Sequence, residues 1–495
     1  MTADQSREPR QSVLHVAVIV VLCVLTFVGS LDGGFVSDDV VLVRDNPRLS
    51  SLSLAKVGEI FRTFDGPNYT PVSVLSLAVD RYVWGPGGAG YHVTNVLLHT
   101  AWALLVYAIL RRLGLAALAA LLGAALWAVH PLQVESVAWM SERRNVLSGM
   151  FFFAAFLVYL DFSERPRARS YAAFVALHLL ALLSKMNTMV LPAVCLAYEI
   201  TFRHRLRRQD VLAALPPLAL GVLVAWYNLT GNPIHGDVWY GGSRIVTWLS
   251  VAVVVFRYLG NVLLPFGLRP GYDVTLHGSA LDPPVLASLL GLIALAGGTT
   301  LLVVRRRREA FGMLWFGITL APMLNLLVPF RSLMNDRYMY LPLVGLVASL
   351  ACALDGLRSA GARRMAGAAA ALAVAACAVL SVRQVEIWST PLTLWQSLAD
   401  RPLPGADPVY RDPDYEGRVA YLREALIADP SSGAFHNNLG ALYYSAGQMT
   451  EALVERDTAQ TVTLHVLGAD NTYDVAAKMP LAWLLETKPG DHNLG

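Results

Sequence analysis

Long runs of apolar residues, separated by short polar segments rich in arginine, alternate along the chain from Val13 to Val382. A run of about 18 residues crosses roughly 30 Å of hydrocarbon at 1.5 Å per residue, so the pattern predicts an all-α, polytopic helical membrane protein. Eleven spans are expected: Val13–Leu31, Val93–Leu110, Leu115–Val129, Val146–Leu160, Tyr171–Leu183, Met189–Glu199, Val211–Leu229, Pro283–Val304, Phe311–Pro329, Tyr338–Leu354 and Met365–Val382. A further segment, Ile245–Phe266, is interrupted by Arg257, Asn261 and Pro265 and carries its large apolar residues as a stripe. It reads as an interfacial or re-entrant helix. The polar loop 32–91 holds two more stretches of helical spacing, Ser53–Phe64 and Pro71–Trp84, suited to lying in the headgroup plane or packing on the bundle.

Composition agrees with this pattern. The 495 residues are 55% hydrophobic and 15% charged, and the mean hydropathy of +0.48 is outside the balance of a soluble globular protein. The net charge of +3 is small, with basic residues gathered in short loops, which speaks to orientation and against nucleic acid as a partner. Cys23, Cys195, Cys352 and Cys377 all fall inside apolar runs without metal or disulfide spacing and read as small core residues. The first run lacks a clear A-x-A site and is taken as a retained helix.

Arginine placement sets the expected topology. Arg111/Arg112, Arg165/Arg167/Arg169 and Arg203/Arg205/Arg207/Arg208 fall at alternate turns, which places those turns and the N-terminus in the cytoplasm. The loops holding Asp38/Asp39, 130–145, 184–188 and the segment after Thr230 are then outside. Arg305 to Arg308 and Arg363/Arg364 are also expected inside, which requires the Ile245–Phe266 segment not to cross.

From Trp388 onward the chain turns polar. Leu439, Gly440 and Tyr443 match the L-G-x-x-Y core of a tetratricopeptide helix, and Ala425 and Ala459 stand 34 residues apart, the period of that repeat. The expected division is a transmembrane domain over 1–387, with 32–91 as its first outer loop, and an extracytoplasmic repeat region over 388–495. So short an array needs a cap, a partner or the membrane domain to cover its open face.

The outer-facing polar residues are Asp38, Asp39, His92, His130, Glu135, Glu142, Arg143, Arg144, Lys185, Tyr272, Asp273, Asn335, Asp336 and Arg337. An acidic pair at a membrane boundary is a functional-site candidate, although a solvated helix-end cap is the plainer reading by position alone. Arg143, Arg144, Lys185 and Arg337 run against the positive-inside trend; they suit a phosphate clamp, or helix ends snorkelling to headgroups. Carboxylates beside such a clamp are the parts for moving a group from a phosphate to an acceptor hydroxyl. His92, Asn95 and His99 share one helix face, more simply a packed polar seam than a metal site. His130 precedes Pro131 and fits a helix end; Tyr272 and Asp273 fit a loop. No metal cluster is apparent, although an acidic pair next to a phosphate suits a divalent cation.

Six motifs with the repeat tail carry a resemblance: F-V-S-D-D (35–39), H-P-L-Q-V-E-S-V (130–137), E-R-R-N-V-L (142–147), L-L-S-K (182–185), L-P-F-G-L-R-P-G-Y-D (264–273) and D-R-Y-M-Y-L-P (336–342). Together they resemble the transmembrane and tetratricopeptide-repeat-containing O-mannosyltransferases, bacterial relatives included, within the C-type glycosyltransferase superfamily. The resemblance implies a polyprenyl- or dolichyl-phosphate sugar donor used on the non-cytoplasmic face of a cell inner membrane or endoplasmic reticulum, with a protein or glycan acceptor. It implies Asp38 or Asp39, with Asp38 favoured, as the base, and Arg143 or Arg144 at the donor phosphate; Lys185 and Arg337 join them there on the residue reading above. The repeats would hold the acceptor or a protein partner. The rival expectation is a membrane-anchored repeat scaffold without catalysis.

Overall fold

The computed structural model describes residues 7–64, 68–231, 239–272, 274–330, 332–390 and isolated positions from 393 to 458. Fifteen α-helices follow one another in the described chain. They are α1 Arg7–Phe27, α2 Leu54–Ile60, α3 Pro71–Trp84, α4 Gly88–Arg112, α5 Ala117–Ala128, α6 Val134–Ala138, α7 Arg143–Glu164 and α8 Ala168–Ser184. The second half holds α9 Leu191–Thr201, α10 Arg208–Thr230, α11 Arg244–Leu263, α12 Pro283–Val304, α13 Glu309–Leu320, α14 Pro342–Asp355 and α15 Ala360–Ile387. Seven segments are long and apolar enough to cross a membrane, and α5 with the bent α6 makes an eighth candidate. The chain is an all-α integral membrane protein, as its apolar pattern implies. The predicted repeats lie, apart from isolated positions, outside the described residues, and so does Asp273.

Local chemistry sets the helix ends. Ser53 caps α2 by accepting the Lys56 N–H, and Ser359 does the same for Ala362 at the start of α15. Gly114, at φ +83°, makes the left-handed turn between α4 and α5 that a side chain resists. Inside α10, Pro217 has no N–H to offer the carbonyl of Ala213. The Tyr171 hydroxyl of α8 donates to that oxygen instead, at 2.9 Å, so Pro217 does not leave the Ala213 carbonyl an orphan.

The predicted run Phe311–Pro329 stops being helical at Leu320. Pro322 lies in the first positions of a short 3-10 turn, Ala321–Met323, and Asn325, at φ +52°, folds the chain back with its side-chain oxygen accepting from the N–H of Phe330 and its amide donating to the Ser332 carbonyl. Apolar content alone does not see this loop, because its leucines and valine continue the run.

The helices close on an aromatic core. Trp102 of α4 lies 4.8 Å from Trp127 of α5 and 4.3 Å from Tyr340, ring centre to ring centre, and Phe153 and Trp315 continue the stack into α7 and α13. Gly149 lets α7 approach: a Cβ there would overlap the Trp102 ring. Gly312 of α13 and Gly345 of α14 face each other's backbone in the same way, the close crossing that small residues permit between membrane helices. All four cysteines are buried and unpaired.

The first polar loop has a core of its own. Leu42, Val43, Leu49, Ile60, Val74 and Leu77 bury one another and close on Tyr91 and Met140. The predicted stripes are therefore partly packed inward through Ile60, Val74 and Leu77, while Leu54, Phe61, Tyr82 and Trp84 stay exposed. The loop is tied to the bundle by Asn228 of α10, whose side-chain oxygen accepts the Tyr69 N–H at 2.7 Å.

α11 is long and apolar enough to cross, and it buries Thr247, Ser250, Val251, Val254, Val255 and Tyr258 along one side. Ser250 accepts the His277 N–H, six residues before α12 begins, and the Val262 carbonyl at its other end meets His130 Nε2 at 3.0 Å. Tyr258, between them, bonds the backbone of Asn335. Between these polar contacts Val254, Val255 and Tyr258 pack with Phe316 and Leu320 of α13.

Candidate active site

The first-loop motif folds into an irregular turn that treats its two aspartates differently. Ser37 sits at φ +51°, a conformation unusual for a residue with a side chain. Immediately after it Asp38 is exposed and makes no side-chain hydrogen bond to a described residue. Asp39 is fully enclosed: one oxygen accepts from Ser141 N at 2.7 Å and Ser141 Oγ at 2.5 Å, the other from Val36 N at 3.2 Å. Burial pushes its carboxyl up to about 7, against the pull of those donors. With one member enclosed and the other exposed, the adjacent pair does not present two carboxylates to one metal ion, and no group of three or more His, Cys, Asp or Glu among the described residues is placed to hold one.

Ser141 leads directly into Glu142, Arg143 and Arg144. Glu142 is fully buried, and three cations from three parts of the chain converge on it. Arg144 of α7 donates Nη2 at 2.6 Å and Nε at 3.0 Å, Lys185 after α8 reaches its second oxygen at 3.2 Å, and Arg337 before α14 brings Nε to 3.6 Å. Asn145, one helical turn after Glu142, holds Lys185 Nζ at 2.6 Å and donates to the Arg337 carbonyl. Burial lowers the Lys185 ammonium to about 8, with Glu142 opposing the shift. The three cationic side chains retain 15–18% exposure while Glu142 has 0%, so the positive groups form the open side and the carboxylate the floor.

Glu135 supports Arg337 from below, accepting its backbone N–H at 2.7 Å and its Nη1. The Arg337 guanidinium also lies 5.4 Å from the Trp139 ring centre. Asp38 is within electrostatic reach of Arg144, which places the exposed carboxylate at the rim of the array. Leaving out Asp38 at the rim, the inner array sets Arg144, Lys185 and Arg337 against Glu135 and Glu142, one more cation than carboxylate.

The other predicted residues divide. Asp336, beside Arg337, is buried and accepts from Tyr272 OH at 2.7 Å; burial, then the Glu135 charge, hold its carboxyl well above the usual range. Tyr272 is capped by the Arg257 guanidinium, 4.9 Å from its ring. His130 accepts the Leu132 N–H and caps the turn that starts at Pro131. His92 is buried against Gly33, while His99 bonds Tyr340 OH at 2.6 Å and the Ala128 carbonyl at 2.9 Å, so this seam is packed into the bundle.

Arg143 is not in the array. It is completely buried on another side of α7, donating to Asn95 Oδ1 and Asp80 Oδ2 at 2.5 Å each and to the Tyr91 carbonyl at 2.9 Å, which ties α7 to α3 and α4. The geometry therefore separates two arginines that the sequence presented as alternatives. Glu142, Asn145 and Ser141 were the polar residues whose roles the sequence left unassigned; the signal for them is a carboxylate and an amide flanking two arginines at a helix start.

Fold and site together define a polytopic membrane protein with three cations gathered over a buried carboxylate at one face. Its homologues are protein O-mannosyl-transferases. Tmtc3 of Drosophila melanogaster is 26% identical over 238 residues, 41% of this chain and 26% of its own length. TMTC4 of Homo sapiens is 33% identical over 170 residues, 30% of this chain and 22% of its own. The chain thus spans about a quarter of the curated relatives it matches. No family model matches. Among solved structures, an Archaeoglobus fulgidus oligosaccharyltransferase tethered to an acceptor peptide aligns with 83% of this chain and 58% of its own at 14% identity and a TM-score of 0.43. ArnT of Cupriavidus metallidurans bound to undecaprenyl phosphate aligns with 94% and 76% at 15% identity and a TM-score of 0.37.

Proposed function

We propose that the chain is a glycosyltransferase that moves a sugar, mannose by the name its homologues carry, from a polyprenyl- or dolichyl-phosphate carrier to a hydroxyl of a protein or glycan. The observation that carries this reading is the convergence of Arg144, Lys185 and Arg337 over Glu142 with Asp38 at the rim. The acceptor oxygen attacks the anomeric carbon and gives its proton to Asp38. The bond from that carbon to the phosphate oxygen breaks, and the carrier phosphate leaves with the electron pair, its charge rising from one to two negative. The cations stabilise the extra charge where it develops. A single displacement inverts the anomeric centre.

Asp39 is assigned to holding the first loop onto Ser141, and Arg143 to anchoring α7. The distribution of arginines supports a cytoplasmic N-terminus and an array on the opposite side. The region 388–495 is proposed as a repeat segment outside the cytoplasm that engages the acceptor or a partner. The test is transfer of label from radiolabelled polyprenyl-phosphate mannose by the purified chain in lipid, wild type beside Asp38→Asn. Transfer lost in a folded variant supports the enzyme and its base. Equal transfer by both forms removes Asp38 from the role, and partner assembly with no turnover in either form favours the scaffold.

A further inference from the structure

We infer that Glu142 is a positioning residue for the phosphate of the lipid carrier: it gathers Arg144, Lys185 and Arg337 from three separate elements to one point before the phosphate arrives. This rests on the lipid-phosphate reading of the site. A carboxylate inside a phosphate site has two opposite consequences. As a bare charge it repels the ligand, so removing it strengthens binding. As a floor that holds three cations in register it is needed for binding, so removing it weakens binding although the site becomes more positive.

The geometry favours the second. Three cations brought together without a counter-charge repel one another, and each belongs to a different part of the chain: α7, the turn after α8 and the turn before α14. Among the described residues only Glu142 bonds or pairs with all three side chains, through both of its oxygens. It is enclosed, whereas Arg144 Nη1 makes no hydrogen bond to a described residue and each cation keeps an open side. Glu142 itself is held in place from behind, because the preceding residue, Ser141, donates twice to the buried Asp39. The ligand bridges the open side of the cations and leaves the floor intact.

The experiment is binding of undecaprenyl phosphate to the full chain in nanodiscs, comparing wild type, Glu142→Gln and Glu142→Asp, with KM and kcat from the transfer assay alongside. Both variants are expected to bind about tenfold or more weakly, since each loses or lengthens hydrogen bonds to charged groups, and to raise KM for the donor more than they lower kcat. A pH series adds a readout that a merely structural role leaves still. Lys185 faces Glu142, Arg144 and Arg337. In wild type, binding declines as pH rises through about 8, when the Lys185 ammonium loses its proton. Without the Glu142 charge to favour the ammonium, the decline moves to lower pH in Glu142→Gln.

Equal or tighter binding by Glu142→Gln overturns the proposal, as does wild-type binding by Glu142→Asp; the Asp variant decides if the Gln variant does not fold. If wild type itself fails to bind undecaprenyl phosphate, the lipid-phosphate reading fails first and the role of Glu142 with it.

Discussion

Arg143 and Arg144 are neighbours in sequence, but a helix turns each successive residue by about 100°. One side chain therefore enters the seam between α3 and α4 and the other faces the open array. Removing one partner of a buried ion pair strands the other, at about 3–5 kcal/mol. Arg143→Ala is accordingly expected to lower the thermal unfolding temperature sharply, because Asp80 is left buried without its counter-charge, with only the Thr94 hydroxyl donating to it. Arg144→Ala keeps the fold and raises KM for the donor; equal stability losses in the two variants would contradict the assignment. The aspartates divide similarly. Asp39 titrates near 7 in the folded chain, above the roughly 3.9 of an unfolded aspartate. Its folded carboxyl prefers the proton, so its stabilising contribution is present below the unfolded value and is lost as pH rises through about 7. The wild-type unfolding temperature should fall as pH rises from about 4 to about 7 and level off above that, and Asp39→Asn, which does not ionise, should flatten that part of the curve. An unchanged slope would assign the titration elsewhere.

At the scale of elements, the apolar pattern placed the long helices because a run that fills the bilayer has few alternatives to a helix. It also located the two helices of the first loop. Where it missed, the determinant was local: Pro322 and Asn325 break an apolar run that composition alone continues through Pro329. The motifs named most of the array, Arg144, Lys185 and Arg337, but they did not separate Arg143 from Arg144 or give Glu142 its place. Those distinctions depend on the rotation of α7 and on turns distant in sequence. Helix approach is equally invisible in the pattern yet sharply set. Gly149→Ala drives a methyl into the Trp102 ring, and overpacking of this kind costs about 1–3 kcal/mol. A Gly149→Ala, Trp102→Phe double variant should recover part of the loss in thermal unfolding; no recovery would mean that the two residues do not share the space.

For the whole molecule, the path of α11 decides on which side the later segments lie. Its contacts with His277, Asn335 and His130 put the loop 264–282 on the same face as the first loop. Because the native cysteines are buried, new ones report with little background. Cysteines introduced at Asp45 and Ser279 should be labelled by a membrane-impermeant maleimide from the same side of sealed vesicles. Labelling from opposite sides would make α11 a full crossing and reverse the side of α12 to α15.

The separate core of the first loop has a practical consequence. Leu42, Ile60, Val74 and Leu77 are keyed to Met140, and Asp39 to Ser141, so the exposed aspartate and the start of α7 form one unit that does not rely on the hydrocarbon for its shape. By contrast, most of α12 and much of α10 and α15 face outward. An engineer can therefore treat the chain as a chassis, rewriting those outer faces to suit a thicker or thinner bilayer while carrying the charged end across unchanged.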